Sequence, residues 1–255
     1  MKINKHLVAV LFSIITGAAS IISVLLILVI NNNNRILTIV LGIFCVFLLA
    51  IVGLLFWGIR KFIHKEYLNT YEIPSIFISY EKRDEANICY EAYKVIQSKR
   101  LKTFKYTQKF KWSLPTDPTL SSDLQTIGDK RKGGANKYDE VDMVFHKPLR
   151  FNEITTVHFK AEMQDPDYNS SPHVELLVEQ SIRYVDFRIC LLSMPDDYTL
   201  NAIITKRPIS ASNDLSQSTI IAEVPFIKET KTYQYFLTEP ETLFYYRIEW
   251  KWLVK

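Results

Sequence analysis

Two uncharged apolar stretches open the chain and decide its class. Residues 7–30 are LVAVLFSIITGAASIISVLLILVI, and residues 36–59 are ILTIVLGIFCVFLLAIVGLLFWGI. Each stretch has 24 residues, and an α-helix of that length measures about 36 Å, enough to cross a hydrocarbon core of about 30 Å. Only five polar residues, 31–35, separate the two. The pattern predicts a transmembrane α-helical hairpin over residues 1–65 and speaks against a wholly soluble protein.

The charged residues around the hairpin predict its orientation. All 27 Asp and Glu residues lie at Glu66 or later, and the loop between the spans carries only Arg35. The other basic residues of this region flank the two ends of the hairpin: Lys2, Lys5, Arg60, Lys61 and Lys65. Basic flanks favour the cytoplasmic side. The sequence therefore predicts a multi-pass membrane protein with both termini in the cytoplasm, and the resemblance given below places it in the bacterial inner (cytoplasmic) membrane. A cleaved signal peptide is disfavoured because its apolar core has about 7–15 residues.

The first apolar stretch carries small residues at helical spacing. Ser13 and Gly17 are four residues apart, as are Thr16 and Ser20. Such spacing lets helix backbones approach closely inside a membrane. We therefore predict that Ser13, Gly17 and Ser20 are membrane-packing positions, either against the second span of the same chain or in a homo-oligomer. Neither span has a charged residue that would mark an ion path.

Period-two patterning replaces the apolar runs after a connector at residues 66–75, and it predicts an all-β soluble domain over residues 76–255. Residues 89–97 and 101–113 are expected to form a hairpin, with a helix over 83–98 as the alternative. A long polar loop is expected at 114–136. The spacing of the turns favours a β-sandwich or barrel. The remaining predicted strands are 75–80, 138–146, 154–163, 174–179, 184–193, 200–206, 218–227, 233–237 and 243–254.

A basic segment with interleaved aromatic residues is the main candidate for ligand binding. Seven basic residues and no acidic residue lie between Lys94 and Lys111, and a second basic cluster precedes Gly133. The segment fits three interpretations: a solvated strand face, a site for an anionic nucleotide or nucleic acid, or a contact with anionic lipid. If phosphate binds there, Lys105→Glu with Lys109→Glu should abolish binding and leave the fold intact. The candidate ligand-binding residues are Lys99, Arg100, Lys102, Lys105, Lys109, Lys111, Lys130, Arg131 and Lys132.

Sequence motifs for catalysis or cofactor binding are absent, including HExxH, paired CxxC, GxSxG, P-loop and Rossmann patterns. The sequence therefore predicts a chain that is not an enzyme and that uses no cofactor and no metal. A tethered hydrolase of unfamiliar type is a minor alternative. A metal site built on His146 and His158 would need a third ligand such as Asp165 or Asp167. Cys45 lies inside the second apolar stretch, and Cys89 and Cys190 of the β domain are expected to stay reduced.

The order of parts resembles a known class of proteins. A short two-helix hairpin followed by a cytosolic β-rich domain is similar to the small membrane effectors of bacterial anti-phage systems, of the retron- or CBASS-associated type. Residues 145–149, 191–195 and 246–250, with Asp165 and the pair at 171–172, are also similar to a β-sandwich domain of bacterial conflict proteins. The Gly-Thr-Trp-like strand and Gln-rich strand of CBASS β-barrel effectors are absent, so the resemblance transfers no ligand residue.

The resemblance implies a membrane effector in which the β domain senses a signal and the oligomerised hairpins disrupt the inner membrane, causing growth arrest or death. The expected partners are membrane lipid, further copies of the chain, and a cyclic nucleotide or a nucleic-acid or protein sensor complex of the same defence system. The alternative is a membrane-anchored binding or scaffold module without pore activity.

Overall fold

The computed structural model describes residues 13, 16, 17, 20, 23, 24, 35–66, 69–84, 86–114, 116–133, 138–166, 169–211 and 214–252. The chain divides into two compact units, residues 1–68 and residues 69–255. The first unit contains helix α1 (Arg35–Glu66). Within α1, Ile39–Lys61 is the one segment of the described chain that is long and apolar enough to cross a membrane, with a mean hydropathy of 3.2.

The predicted hairpin is only partly represented among the described residues. Most of residues 7–30 lies outside them, and the six described positions there, 13, 16, 17, 20, 23 and 24, are helical. The structure thus supports one apolar helix followed by an all-β unit, and the described residues do not support a second span or a multi-pass arrangement.

The second unit is built from strands joined by short turns. Alternation of apolar and polar side chains produces them, because successive residues of a strand point to opposite faces. The strands are β1 (Tyr71–Lys82), β2 (Asn87–Ser98), β3 (Lys102–Phe110), β4 (Thr119–Ser121), β5 (Thr126–Arg131), β6 (Asp139–Arg150), β7 (Ile154–Gln164), β8 (His173–Val178), β9 (Tyr184–Leu191), β10 (Ala202–Pro208), β11 (Thr219–Val224), β12 (Thr232–Thr238) and β13 (Phe244–Glu249).

The strands form three sheets. A six-stranded sheet has the order β12-β9-β1-β2-β7-β4, a four-stranded sheet the order β11-β10-β13-β8, and a three-stranded sheet the order β3-β6-β5. Strands β1 and β9 pair in parallel, whereas all other neighbours are antiparallel. The prediction of an all-β domain is confirmed, and so are strands at residues 154–163, 184–193 and 233–237 within a few residues.

One continuous apolar core supports the three sheets. Alternate residues of β1, Ile76, Ile78 and Tyr80, are buried, and the inward side chains of β7 and β13 include Phe159 and Ile248, both fully buried. Burial of apolar area of this kind is the main favourable contribution to folding. The core residues therefore fix which face of each strand points inward, and they hold the edges of the sheets in place.

One prediction about strand pairing and two about secondary structure are wrong. Strands β2 and β3 exist, but they do not form a hairpin: β2 pairs with β1 and β7, and β3 pairs with β6. The helical alternative for residues 83–98 is wrong as well. The polar segment 114–136 contains strands β4 and β5. Its polarity concealed them because β5 (Thr126–Arg131) has no buried residue.

Candidate functional site

A cleft of about 560 Å³ opens in the second unit where the three sheets approach one another. Alternate residues of β1 and β2 form its floor: Ile78 and Tyr80 from β1, and Ile88 and Tyr90 from β2. Its walls are residues 106–113 of β3 and the segment that follows it, and residues 173–177 of β8. The volume lies in the range of sites that hold small molecules or peptide side chains.

The charged residues that line the cleft are mostly basic. Glu175 and Glu179 are the carboxylates on its wall, and His173 is held neutral because burial lowers its pKa to about 4, with the nearby Arg247 and Arg207 acting in the same direction. The five cationic side chains therefore exceed the carboxylates and favour an anionic occupant. These cations are Lys94, Lys109, Lys111, Arg207 and Arg247.

Glu175 organises the two arginines at one end of the cleft. Its Oε2 lies 2.8 Å from Arg207 Nη2 and 3.2 Å from Arg247 Nε. Arg207 is 5% exposed, and its guanidinium carbon lies 4.8 Å from the centre of the Tyr245 ring. Such charge-assisted pairs hold the arginine side chains in fixed positions.

Several buried polar atoms on the lining residues have no hydrogen-bond partner within the described chain. They are Tyr80 Oη, Gln108 Oε1, Trp112 Nε1 and Arg207 Nε. Buried polar groups in folded proteins are almost always hydrogen-bonded, to protein, to ordered water or to a ligand. Four of the eight such atoms in the described chain line this one cleft, which makes it a candidate polar binding site.

A second cavity of about 450 Å³ continues the cleft along β3. The two cavities share six lining residues, among them Lys94, Tyr106 and Leu177. The Lys94 ammonium lies 3.3 Å from the Tyr106 hydroxyl and 5.5 Å from the centre of the Tyr106 ring. Farther along, the Tyr71 hydroxyl donates to the carbonyl oxygen of Lys105. Together the cavities form a groove that follows strand β3.

The predicted basic residues separate into groups. Lys109 and Lys111 line the cleft, and Lys105 lines the second cavity. Lys102 is exposed at the start of β3, away from both. Lys99 is buried, with Nζ 2.6 Å from Glu72 Oε2 and 2.7 Å from Gln97 Oε1. Arg100 lies in the turn before β3, outside both cavities.

The second basic cluster lies on and beside β5. Lys130 and Lys132 share Asp117, with Nζ to Oδ2 distances of 3.7 Å and 2.9 Å. Arg131 Nη1 and Nη2 lie 3.0 Å and 2.8 Å from the two oxygens of Asp142. Each cation of this cluster thus has a carboxylate partner on its own sheet or loop.

Asp142 is the centre of the charged face of the three-stranded sheet. Its carboxylate, 2% exposed, also accepts from Lys105 Nζ at 2.6 Å and from Thr107 Oγ1 at 2.9 Å. The Arg131 guanidinium and these further donors hold the pKa of Asp142 well below its usual range. The proposed test variant Lys105→Glu with Lys109→Glu therefore does not separate binding from stability, because it places a carboxylate against Asp142.

The histidines considered as metal ligands lie apart. His158 is fully buried on β7, stacked on Tyr93 with ring centres 4.3 Å apart, and its Nδ1 accepts from the Asp123 amide at 3.0 Å. His146 is exposed on β6. Asp165 binds the amides of residues 169 and 170, and Asp167 lies outside the described residues. Among the described residues, no three His, Cys, Asp or Glu side chains are grouped closely enough to hold a metal ion.

Sequence reasoning missed most of the cleft. Arg207 and Arg247 come from β10 and β13, which pair so that Arg207 is opposite Tyr245 and Arg247 opposite Thr205. Gln108 and Trp112 lie within the predicted strand 101–113, but nothing in their spacing shows that their polar atoms lack partners. Only Lys94, Lys109 and Lys111 carried a signal, through the basic segment to which they belong.

No family model and no curated protein matches the chain. Solved structures match at low similarity. They include a two-domain M1 zinc metallopeptidase bound to L-tryptophan (8% identity, TM-score 0.40, 71% of this chain and 43% of that chain). An M1 zinc metallopeptidase from Deinococcus radiodurans bound to a Tyr-Ser-Ala substrate has 9% identity, a TM-score of 0.39 and the same coverage. The chain thus spans less than half of the length of each of these proteins.

The prediction that the chain is not an enzyme is corrected by these matches, because the matched structures are those of enzymes. The prediction is withdrawn. TM-scores of 0.40 and below assign no peptidase activity and no residue role to this chain.

Proposed function

We propose that the chain is a membrane effector of a bacterial anti-phage defence system. A transmembrane hairpin, residues 1–65, anchors it in the inner membrane with both termini in the cytoplasm. The β unit senses a nucleotide signal or a partner complex. Sensing drives oligomerisation, and the clustered hairpins disrupt the membrane and cause growth arrest or death.

The observation that carries the proposal is the apolar helix joined to a β unit with an open polar cleft. The spanning segment Ile39–Lys61 is not buried within the chain. Large side chains such as Ile43, Val46 and Leu54 are each more than 60% exposed along it. At its end, Lys61 Nζ lies 5.0 Å from the centre of the Trp57 ring, a pair suited to the membrane–water interface.

The small residues of the first apolar stretch support oligomerisation. Ser13, Gly17 and Ser20 are helical and exposed, and, within the part of the chain that the structure describes, a Cβ atom added at Gly17 would meet no neighbouring atom within 4 Å. A free face of small side chains allows close helix packing in lipid.

Membrane potential tests the effector proposal directly. We expect a rapid loss of membrane potential, measured by dye fluorescence, in cells induced for the full chain. We expect no loss in cells induced for residues 66–255. Gly17→Ile should suppress the loss because it blocks close packing, whereas Val24→Ile, a matched change at another exposed position, should not. An intact potential under strong overexpression, together with a strictly monomeric chain, would contradict the proposal.

A second candidate function is a membrane-anchored binding or scaffold module. The cleft and its unpartnered polar atoms favour this function, since they concern the β unit alone. Replacing residues 1–65 by an unrelated two-helix anchor separates the candidates. The scaffold survives the exchange, whereas the effector loses its effect on the membrane.

A further inference from the structure

Two strands with open edges face the cleft. Strand β3 pairs only with β6 and ends the three-stranded sheet, and strand β8 pairs only with β13 and ends the four-stranded sheet. Neither has a second neighbour among the described strands. An edge strand directs half of its backbone N–H and C=O groups away from its partner, where another extended chain can bind them.

The lining of the cleft shows that these edges, rather than the faces of the strands, point into it. A cavity on the face of a sheet touches every second residue of a strand, because side chains alternate. Strands β1 and β2 follow this rule, with Ile78 and Tyr80 or Ile88 and Tyr90. Residues 106–113 and 173–177 line the cleft without a gap, as expected for strands met edge-on.

The side chains of β3 specify which chain would fit beside it. Its inward residues Tyr106, Gln108 and Phe110 are buried, whereas Lys109 and, just after the strand, Lys111 are exposed. Lys109 Nζ is 2.8 Å from Glu179 Oε1, and this hydrogen bond raises its pKa. A strand added beside β3 would bring its outward residues next to Lys109 and Lys111, where opposite charges are favourable.

We propose that the groove along β3 binds an extended acidic peptide of a partner protein as an added β-strand. The peptide's backbone bonds to the open edge of β3. Its apolar side chains alternate toward the partly exposed Tyr90 on the floor, and its acidic side chains face Lys109 and Lys111. This inference rests on the sensing role in the proposed function and names the class of partner that is sensed.

Binding to the purified full chain in lipid nanodiscs tests the proposal. The probe is a ten-residue peptide with alternating Glu and Val, and its binding is measured by fluorescence anisotropy. We expect a Kd of about 100 μM or tighter, and binding at least tenfold weaker for the matched peptide with alternating Lys and Val. Two further peptides carry N-methyl groups, one on the odd-numbered and one on the even-numbered backbone nitrogens. At least one of them should not bind, because methylation removes the N–H donors that face β3. Equal binding by all forms would overturn strand addition.

Two matched variants locate the site. Lys111→Glu should weaken binding of the acidic peptide by about tenfold. Lys102→Glu, the same charge reversal at an exposed residue of β3 outside both cavities, should change it less than about twofold. Urea unfolding of both variants checks that the fold is retained. Equal effects of the two variants, or no binding of the acidic peptide at about 1 mM, would overturn the proposal.

A nucleotide probe distinguishes this inference from the proposed function. If a cyclic dinucleotide binds the full chain, loses affinity in Lys111→Glu, and the acidic peptide does not bind, the peptide inference is wrong while sensing by the cleft stands. Peptide binding without any effect on membrane potential would confirm the inference and contradict the effector proposal.

Discussion

The two sides of strand β3 differ in how their polar groups are satisfied. Toward β6, buried Asp142 receives hydrogen bonds from Lys105, Thr107 and Arg131. On the side that lines the cleft, Gln108 Oε1 and, just after the strand, Trp112 Nε1 are equally hidden from solvent but have no partner in the described chain. Similar residue types along one strand therefore have opposite roles. The charged residues on the β6 side hold the sheet together, whereas two polar atoms on the cleft side have no hydrogen-bond partner in the described chain.

This difference shows why a count of basic residues is a poor guide to a binding site. The basic residues with buried or shared carboxylates, such as Arg131 and Lys132, are internal partners of the fold. A polar residue is available to a ligand only where no residue of the fold already serves as its partner. Four changes test the comparison, and they follow from the largest expected effect to the smallest.

Removal of the Asp142 charge should be the most damaging change. Asp142→Asn keeps one acceptor oxygen but removes the negative charge that Arg131, Lys105 and Thr107 share as donors, and we expect a loss of about 3 kcal/mol in the free energy of unfolding. Urea unfolding of the full chain in detergent, followed by near-UV circular dichroism, measures it. Glu140→Gln is the matched control, since its carboxylate is an exposed partner of Arg131 at 3.3 Å. A loss no greater than that of the control would show that the β6 side is not structural.

Protonation of His173 should weaken the cleft side of β8 at moderately low pH. Its pKa is about 4 in the folded chain against an ordinary value of 6.5. The unfolded chain therefore binds a proton that the folded chain does not, so stability is complete above pH 6.5 and falls as the pH drops toward 4. We expect a loss of about 2 kcal/mol over this interval. The contribution of Asp142, whose pKa is lowered from 3.8, is lost only at lower pH.

The variant His173→Gln isolates this effect. It should flatten the pH dependence of the urea midpoint between pH 6.5 and 4, whereas His146→Gln, a change at an exposed histidine of β6, should leave it unchanged. An unaltered slope in His173→Gln would mean that other groups cause the loss of stability.

A methyl group at Gly128 should disturb the β6 side moderately. Its Cβ would lie 3.0 Å from Val144 Cγ2 and 3.2 Å from the carbonyl oxygen of Asp142. We expect Gly128→Ala to lower the free energy of unfolding by about 1 kcal/mol, measured by urea unfolding. Thr126→Ala, at an exposed position of the same strand, is the control. An increase in stability would show that β6 shifts to accommodate the methyl group without a loss of free energy of unfolding.

Removal of the Gln108 amide should have the smallest effect. Gln108→Met abolishes the unpartnered Oε1 together with the bond from Nε2 to the carbonyl of Lys109. The two consequences oppose each other, so the free energy of unfolding should stay within about 0.5 kcal/mol. A loss as large as that of Asp142→Asn would show that Gln108 has an internal partner and would remove the contrast between the two sides.

The sequence predicted strands well where a strand has one buried face. Residues 154–163 alternate clearly and form β7 (Ile154–Gln164). The sequence did not predict strand pairing correctly where the paired strands are distant in the chain. The predicted short turn at residues 98–100 favoured a hairpin, but both edges of β2 are occupied by β1 and β7. Alternation reports which face is buried and carries no information on which strand lies beside it.

The site was less predictable than the fold. Lys109 and Lys111 could be found because basic residues without acidic neighbours stand out in a sequence. Arg207 and Glu175 come together only through the pairing of β10 with β13 and of β13 with β8. The open edges of β3 and β8 have no sequence signature, since an edge is defined by the absence of a neighbouring strand.

The parallel pair within the six-stranded sheet has a consequence for folding during biosynthesis. Residues 75–82 of β1 pair with residues 184–191 of β9, so seven further strands are made between the two partners. A ribosome therefore releases β1 with one side covered by β2 and the other unpaired until Leu191 has emerged. Exposed strand edges of this kind promote aggregation. Folding of the β unit thus requires that the chain be complete through β9. We expect a polypeptide that ends before β9 to aggregate rather than to retain part of its activity.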